Sequence, residues 1–458
     1  MHMQDPSIEV LTQAVLRYAV QRMRLDPPPL DGPRTEAELR AMAGSSVTKQ
    51  GLGGLEALRI FTDVLAPACI STDHPRYLAF VPNAPTEVSI LFDLVVGASS
   101  IYGGSWLEGA GAVFAENEAL RWICDLVGFP KTSGGVFVSG GTAGNLSALV
   151  AARQTWRTWH PEAGNLRGLV IAGGGAHSSI TMAARVMDVD VVKVPTDARG
   201  ALTRAALDET VAALSGYDRG RVFAVVATGG TTNVGVVDDL AAAADAAKAL
   251  GAWFHVDGAY GGAALAAPKV RHLFNGIEQA DSFLVDPHKW LFAPYDCCAL
   301  VYRQPELAKG THTQEAEYLD VLADDEEWNP SDYAVHLTRR ARGLPFWFSL
   351  ATHGTDAYRV AIEQSLELTQ QTADLIRRTP GLELVLEPEL SVVVFRRVGW
   401  DQARYDAWSD KALADDLTLT VATKWQGEHV LRFCFINPRT TLADVQMILN
   451  SLTGSESQ

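Results

Sequence analysis

Between about residues 85 and 345, short apolar runs alternate with stretches of helical period. The runs at 135–139, 169–172, 189–194, 222–227, 253–257, 282–285 and 298–302 are rich in Val, Ile, Phe and Ala. Each is strand-length and lacks the in/out alternation of a half-exposed strand, which suits strands covered on both faces. Helical patterns such as 238–250 lie between them. Strands alternating with helices predict a doubly wound α/β architecture: a mostly parallel seven-stranded sheet with helices on both faces.

The flanks read differently. Ile8, Leu11, Val15 and Tyr18 recur at three- and four-residue spacing, and Asp26-Pro-Pro-Pro-Leu-Asp-Gly-Pro ends that helix. Its apolar stripe must be buried, either on its own subunit or across an interface. The last stretch has a long helical pattern, strand runs at 391–396 and 429–436, and a terminal helix. The expected division is an N-terminal helical segment (1–84), a large α/β domain (85–346) and a small C-terminal α+β domain (347–458). A chain of 458 residues suits two or three such units.

A net charge of −16 argues against nucleic acid, whose phosphates demand a basic face, and against anionic membrane surfaces. No apolar stretch approaches the ~20 residues of a membrane span. Met1-His2-Met3-Gln4-Asp5 lacks the basic start and apolar run of a signal peptide. The cysteines at 69, 124, 297, 298 and 434 are scattered and odd in number, with no zinc-ligand spacing, so reduced thiols, a cytoplasmic location and no metal are expected.

Ligands of parallel α/β sheets bind past the carboxyl ends of strands, so polar residues there carry the chemistry. In Asp281-Ser-Phe-Leu-Val-Asp-Pro-His-Lys289-Trp290-Leu291, a lysine follows an apolar run and precedes aromatic residues. Burial is expected to lower its pKa, and a neutral amine attacks carbonyls to form a Schiff base. The plain alternative is a solvated lysine. Its neighbour His288 suits a phosphate donor or proton relay. Ser139-Gly140-Gly141-Thr142-Ala143-Gly144-Asn145 is a strand-to-helix turn whose free N–H groups and Thr hydroxyl suit a phosphate; it lacks the first Gly of a dinucleotide fingerprint. Asp257, closing His255-Val-Asp-Gly-Ala-Tyr260, is either a turn carboxylate or the partner of a buried cation. His177, in Gly173-Gly-Gly-Ala-His-Ser-Ser179, is either structural or a stacking and proton-donating group.

The pattern Ser282-Phe283, Lys289-Trp290-Leu291, Tyr295-Asp296-Cys297 resembles the cofactor-lysine signature of the group II pyridoxal-phosphate (PLP) decarboxylases. Similarity to the aromatic-L-amino-acid branch runs from about Pro6 to the last helix. The resemblance implies PLP fold type I (aspartate-aminotransferase-like) and a cytoplasmic homodimer with composite sites, the N-terminal segment packing across the dimer. It implies PLP as cofactor, with Lys289 bonded to it, Asp257 facing its ring nitrogen and His177 stacked on the ring. Gly140, Gly141 and Thr142 would hold the phosphate. Thr232, Asp238, Ala259 and His288 match supporting positions. Asp286 stands where the aromatic branch commonly has Asn; a carboxylate repels phosphate, so it is expected to act through its backbone or a water. Tyr318 matches a mobile-loop Tyr that protonates the substrate carbon after CO₂ leaves; Phe there marks relatives that make aldehydes.

For substrate, Phe80, Val81, Pro82 and Asn83 match a pocket wall, and Tyr102 and Gly104 match a segment that the partner subunit contributes. Gly104 and Thr72 replace aromatic residues of the branch, which implies a larger or more polar pocket. Phe80, Tyr102, Trp106 and Tyr260 favour aromatic amino acids, with acidic or diamino acids and aldehyde synthesis as alternatives. The other classes to weigh are an NAD-dependent oxidoreductase and a PLP-binding protein without catalysis. The incomplete dinucleotide fingerprint argues against the first, and intact Lys289, Asp257, His177 and Tyr318 against the second.

Overall fold

The computed structural model describes residues 7–164, 166–314 and 327–454. It opens with helices α1 (Ser7–Met23), α2 (Glu36–Ala43), α3 (Gly54–Ile60), α4 (Glu87–Ser99) and α5 (Trp106–Val127). α1 is tied to its own chain by Arg22, which pairs with Asp73 at 2.8 Å. Even so, its Ile8, Val10, Val15 and Leu16 remain exposed.

The seven expected runs become β1 (Gly134–Val138), β2 (Leu169–Gly173), β3 (Asp190–Val194), β4 (Val222–Thr228), β5 (Trp253–Asp257), β6 (Ser282–Val285) and β7 (Cys298–Tyr302). They form one sheet in the order β1-β7-β6-β5-β4-β2-β3. β7 runs antiparallel to both neighbours and the other pairs are parallel. Where strand ends differ from expectation, local bonding decides. Val189 is drawn off β3 because its N–H closes the preceding helix on Ala184 O at 3.0 Å.

Between and after the strands lie α6 (Gly141–Trp159), α7 (Ser178–Met187), α8 (Arg204–Ala213), α9 (Gly216–Arg219), α10 (Leu240–Leu250) and α11 (Pro305–His312). The helix expected from 238 starts later because Asp239 caps it, accepting the Ala242 N–H at 2.9 Å. Asp238 turns inward and accepts N–H bonds from Leu202 (2.7 Å) and Thr228 (2.8 Å). One sheet face is covered by α6, α7 and α11, the other by α5, α8, α10 and the two helices α12 (Leu344–His353) and α13 (Thr355–Arg378). All seven residues of β4 are buried. That is why its sequence is unbroken by charge; truncating Phe223 to Ala is expected to cost about 3–5 kcal/mol.

The C-terminal part adds α14 (Gln402–Ala414), α15 (Leu442–Thr453) and the antiparallel strands β8 (Leu382–Leu384), β9 (Val392–Arg397), β10 (Ala422–Trp425) and β11 (Glu428–Cys434), ordered β10-β11-β9-β8. Only β9 and β11 are expected from the sequence. β8 and β10 are short, partly exposed edge strands whose residues carry no apolar run. The boundary expected at 346 falls inside α12, whose Phe346 is buried in the large core. Among the described residues no helix is long and apolar enough to cross a membrane.

Candidate active site

The carboxyl ends of β1, β2, β4, β5 and β6 share one edge of the sheet, and a cavity of about 340 Å³ opens there. Gly140, Gly141, Thr142, His177, Thr232, Asp257, Ala259, Asp286, His288 and Lys289 all line it. These residues come from five separate loops, so the topology alone gathers them.

α6 starts directly after β1, at Gly141. Its first N–H groups have no partner within the helix, and its dipole presents partial positive charge to the cavity. A Cβ added at Gly141 would lie 3.3 Å from Ala259 Cβ and 3.4 Å from Asp286 Oδ2, so the floor is narrow there. At the end of β5, Asp257 is 4% exposed. Its Oδ1 accepts the Ala259 N–H at 3.0 Å and its Oδ2 accepts Asn145 Nδ2 at 2.8 Å. His177 caps α7, its Nδ1 accepting the Ser179 N–H at 3.2 Å.

Lys289 follows β6, with Nζ 2.8 Å from Asp286 Oδ2. The expectation that burial lowers its pKa is corrected by this pair. Burial does pull the amine down, but the Asp286 carboxylate, helped by Asp257, outweighs it, and the net shift is upward. The backbone route expected for Asp286 is closed, because its N–H donates to Ala259 O at 3.0 Å. Burial lowers the His288 pKa, against the opposing charge of Asp286. The ring sits 5.1 Å from that of Tyr295. Beneath this loop Asn83 Nδ2 donates to the carbonyls of His288 and Ala293.

The expected wall residues lie elsewhere. Phe80, Pro82, Tyr102 and Gly104 do not line this cavity within one chain. Phe80 is 58% exposed, and its carbonyl accepts from Arg432, which also bonds the Thr232 carbonyl. Tyr102 donates its hydroxyl to Leu337 O at 3.1 Å. The extra room expected at Gly104 is already filled, since a Cβ there would come within 2.4 Å of the Tyr102 hydroxyl oxygen and 2.8 Å of Leu337 O. Thr72 lines a separate cavity beside α1, together with Asn83. Tyr318 lies outside the described residues. Asp238 does not line the cavity either. It sits under β2 and β4, where burial raises its pKa to about 6 although two N–H groups oppose the shift.

Residues to which the sequence reading gave no site role also reach the site. Asn145, Thr228, Tyr295 and Asp296 line the cavity. Ser179, His255 and Ser282 stand behind it in a hydrogen-bonded group. His255 is fully buried, and burial lowers its pKa well below the ordinary histidine range. A histidine inside the apolar run Trp-Phe-His-Val-Asp was the available signal.

The model of the pyridoxal-dependent decarboxylase conserved domain matches residues 54–398. The chain belongs to the pyridoxal-dependent decarboxylase family. It is 31% identical over 424 residues to an aromatic-L-amino-acid decarboxylase of Bacillus atrophaeus, covering 90% of this chain and 87% of that one. It is also 31% identical over 443 residues to an L-2,4-diaminobutyrate decarboxylase of Acinetobacter baumannii, covering 90% and 86%. The structure of Oryza sativa TDC with PLP and tryptamine superposes with a TM-score of 0.91 at 25% identity, over 99% of both chains. The protein is therefore a PLP-dependent amino-acid decarboxylase of fold type I.

The cavity's residues fit that cofactor. An amine, a buried carboxylate and a helix N-terminus suit three of the polar features of PLP: its aldehyde, its ring nitrogen and its phosphate. Two buried oxygens of residues lining the cavity, Thr228 Oγ1 and Asp286 Oδ1, have no hydrogen-bond partner among the described residues. Buried polar atoms are rarely left so, and these await a ligand or water.

Proposed function

We propose that this enzyme decarboxylates an L-amino acid with an aromatic side chain (tryptophan, tyrosine, phenylalanine or a hydroxylated derivative), releasing CO₂ and the amine. One observation carries the choice among substrates: Asp296, a carboxylate that lines the cavity, is already paired with Arg342. Neither group is free to hold the distal ammonium of a diamino acid or the second carboxylate of an acidic one. Tyr295, next to it in the chain, adds an aromatic ring to the lining.

In this reading Lys289 supplies the amine that bonds the cofactor, and Asp286 holds the proton of that amine beforehand. Gly140, Gly141 and Thr142 would receive the phosphate, and Thr232, Ala259 and His288 would help hold the ring. Asp257 would hold the proton of the ring nitrogen. His177 would support the ring and orient the substrate. Bound PLP supplies the electron sink that lets the Cα–carboxylate bond break. Tyr318 then returns a proton to Cα.

The enzyme is proposed to work as a homodimer. Ile8 and Val15 on α1, Leu91 and Leu94 on α4, and Leu107 and Phe114 on α5 are all exposed in one chain, and large apolar side chains of this kind are what an interface buries. A second copy covering them would bring wall residues such as Phe80 and Tyr102 into composite sites. Light scattering at assay concentration should give a dimer, and an active monomer contradicts it. A cytoplasmic location is proposed from the five free thiols. The substrate is tested by measuring amine and CO₂ across the twenty amino acids, dihydroxyphenylalanine and 5-hydroxytryptophan. Aromatic substrates should have the highest kcat/KM; a preference for glutamate, aspartate or diaminobutyrate overturns the choice.

A further inference from the structure

Beneath the cavity runs a hydrogen-bonded chain whose donors and acceptors can be ordered in one direction. Trp253 Nε1 donates to Ser282 Oγ at 2.8 Å, so the Ser282 hydroxyl is free to donate to His255 Nδ1 at 2.7 Å. His255, neutral, then carries its proton on Nε2 and donates it to Asn145 Oδ1 at 2.8 Å. That bond fixes which end of the Asn145 amide is the NH₂. The NH₂ donates twice, to Asp257 Oδ2 at 2.8 Å and to Ser179 Oγ at 2.9 Å. Ser179, having accepted, donates its hydroxyl hydrogen to His177 Nδ1 at 2.9 Å, beside its own N–H at 3.2 Å. Neutral His177 therefore carries its proton on Nε2. All of these side chains except that of His177 are buried.

We infer that Asn145 is a positioning residue for the reaction, one amide that holds the Asp257 carboxylate as an acceptor and sets the tautomer of His177. This rests on the roles proposed above for Asp257 and His177. Neither N–H bond from Asn145 can be made by a carboxylate or an apolar side chain of the same shape. A side chain without a donor at position 145 would leave Asp257, among the described residues, with the Ala259 N–H alone.

Among the described residues, the titratable groups facing position 145 and its helix include Asp257 and His255 on β5, His177 before α7, Asp286, His288, Lys289, Tyr295 and Asp296 after β6, Cys298 and Tyr302 on β7 and His312 on α11. Asn145→Asp keeps the shape and removes the donors. Two carboxylates at hydrogen-bond distance resist ionising together, so they share a proton at low pH and repel once both are charged at high pH. Apoenzyme titrated with PLP, read by the visible band, should then show affinity near wild type at about pH 6 and about tenfold weaker or worse at about pH 8.5. Asn145→Leu should weaken PLP binding by a similar factor with no added pH dependence. A merely structural role would lower thermal stability in both variants and leave the pH dependence of binding unchanged; that result overturns the inference. Asp257→Ala measured alongside separates the two readings. If it binds PLP as wild type does, the role of Asp257 fails; if it loses affinity while Asn145→Asp follows wild type at every pH, only the role of Asn145 fails. Wild-type holoenzyme labelled with ¹⁵N-histidine needs no folded variant at position 145. His177 and His255, identified by the signals lost in His177→Gln and His255→Gln, should both be Nε2–H tautomers. The Nδ1–H form of either overturns the ordering.

Discussion

The floor of the cavity and its expected walls are built to different rules. On the floor, Asp257 has two donors, Lys289 has a carboxylate at 2.8 Å, and Asn145 and His255 are bonded at every polar atom. All of it comes from one chain and sits against the packed sheet. Of the walls, Phe80 is largely exposed, Tyr102 and Gly104 are turned to the segment around Leu337, and none reaches the cavity within the chain. If the enzyme is the homodimer proposed above, the contrast would place the cofactor chemistry in the fold of one subunit and substrate choice on surfaces that a second copy completes. Changes on the floor should therefore abolish chemistry, and changes in the walls should shift substrate affinity.

The largest effect is expected at Lys289. Lys289→Ala should remove the borohydride-reducible visible band and leave negligible turnover, because no other amine lines the cavity among the described residues. A variant that keeps the reducible band places the attachment elsewhere and dissolves the contrast. Next comes Tyr318→Phe, which keeps shape and removes the phenolic proton. Amine formation should fall by ~10²–10⁴, as for a lost general acid. With protonation slowed, dissolved oxygen intercepts the electron-rich carbon, and peroxide per turnover should rise. Unchanged amine yield without peroxide makes Tyr318 a bystander. Asp257→Ala should bind PLP more weakly and lose most activity, since an unprotonated pyridine is a poor electron sink. Near-normal turnover would reduce Asp257 to a structural carboxylate.

Most of the floor was legible in the sequence because each of its loops begins where an apolar strand run ends. The end of β1 gives Gly140 to Thr142, that of β5 gives Asp257, and that of β6 gives Lys289. What the pattern could not give is the partner of a polar residue. His255 and Asn145 are 110 positions apart, and nothing local to either announces their bond. Lys289 was misjudged for a related reason. Burial of an amine was weighed without Asp286, three residues earlier, which turns the shift around. The walls were legible only as motifs. In the proposed homodimer their geometry would depend on which surfaces meet, and Phe80, 58% exposed in one chain, would be covered there.

The smallest effect is expected at Gly104, and it bears most directly on the walls. Reading the missing aromatic side chain as empty space predicts that a small residue there is harmless. The structure says otherwise, because the Tyr102 hydroxyl and Leu337 O already occupy the volume a Cβ would need. Both are held by their mutual hydrogen bond, so Gly104→Ala must push the Tyr102 ring aside. The ring lies in the segment matched to a partner-contributed wall, so the shift should raise KM several-fold, on the order of 1 kcal/mol, with kcat nearly unchanged. PLP affinity should stay at the wild-type value, since the floor is untouched. A fall in kcat with unchanged KM would mean that this segment acts on the chemistry itself, and the division between a one-chain floor and a two-chain wall would not hold.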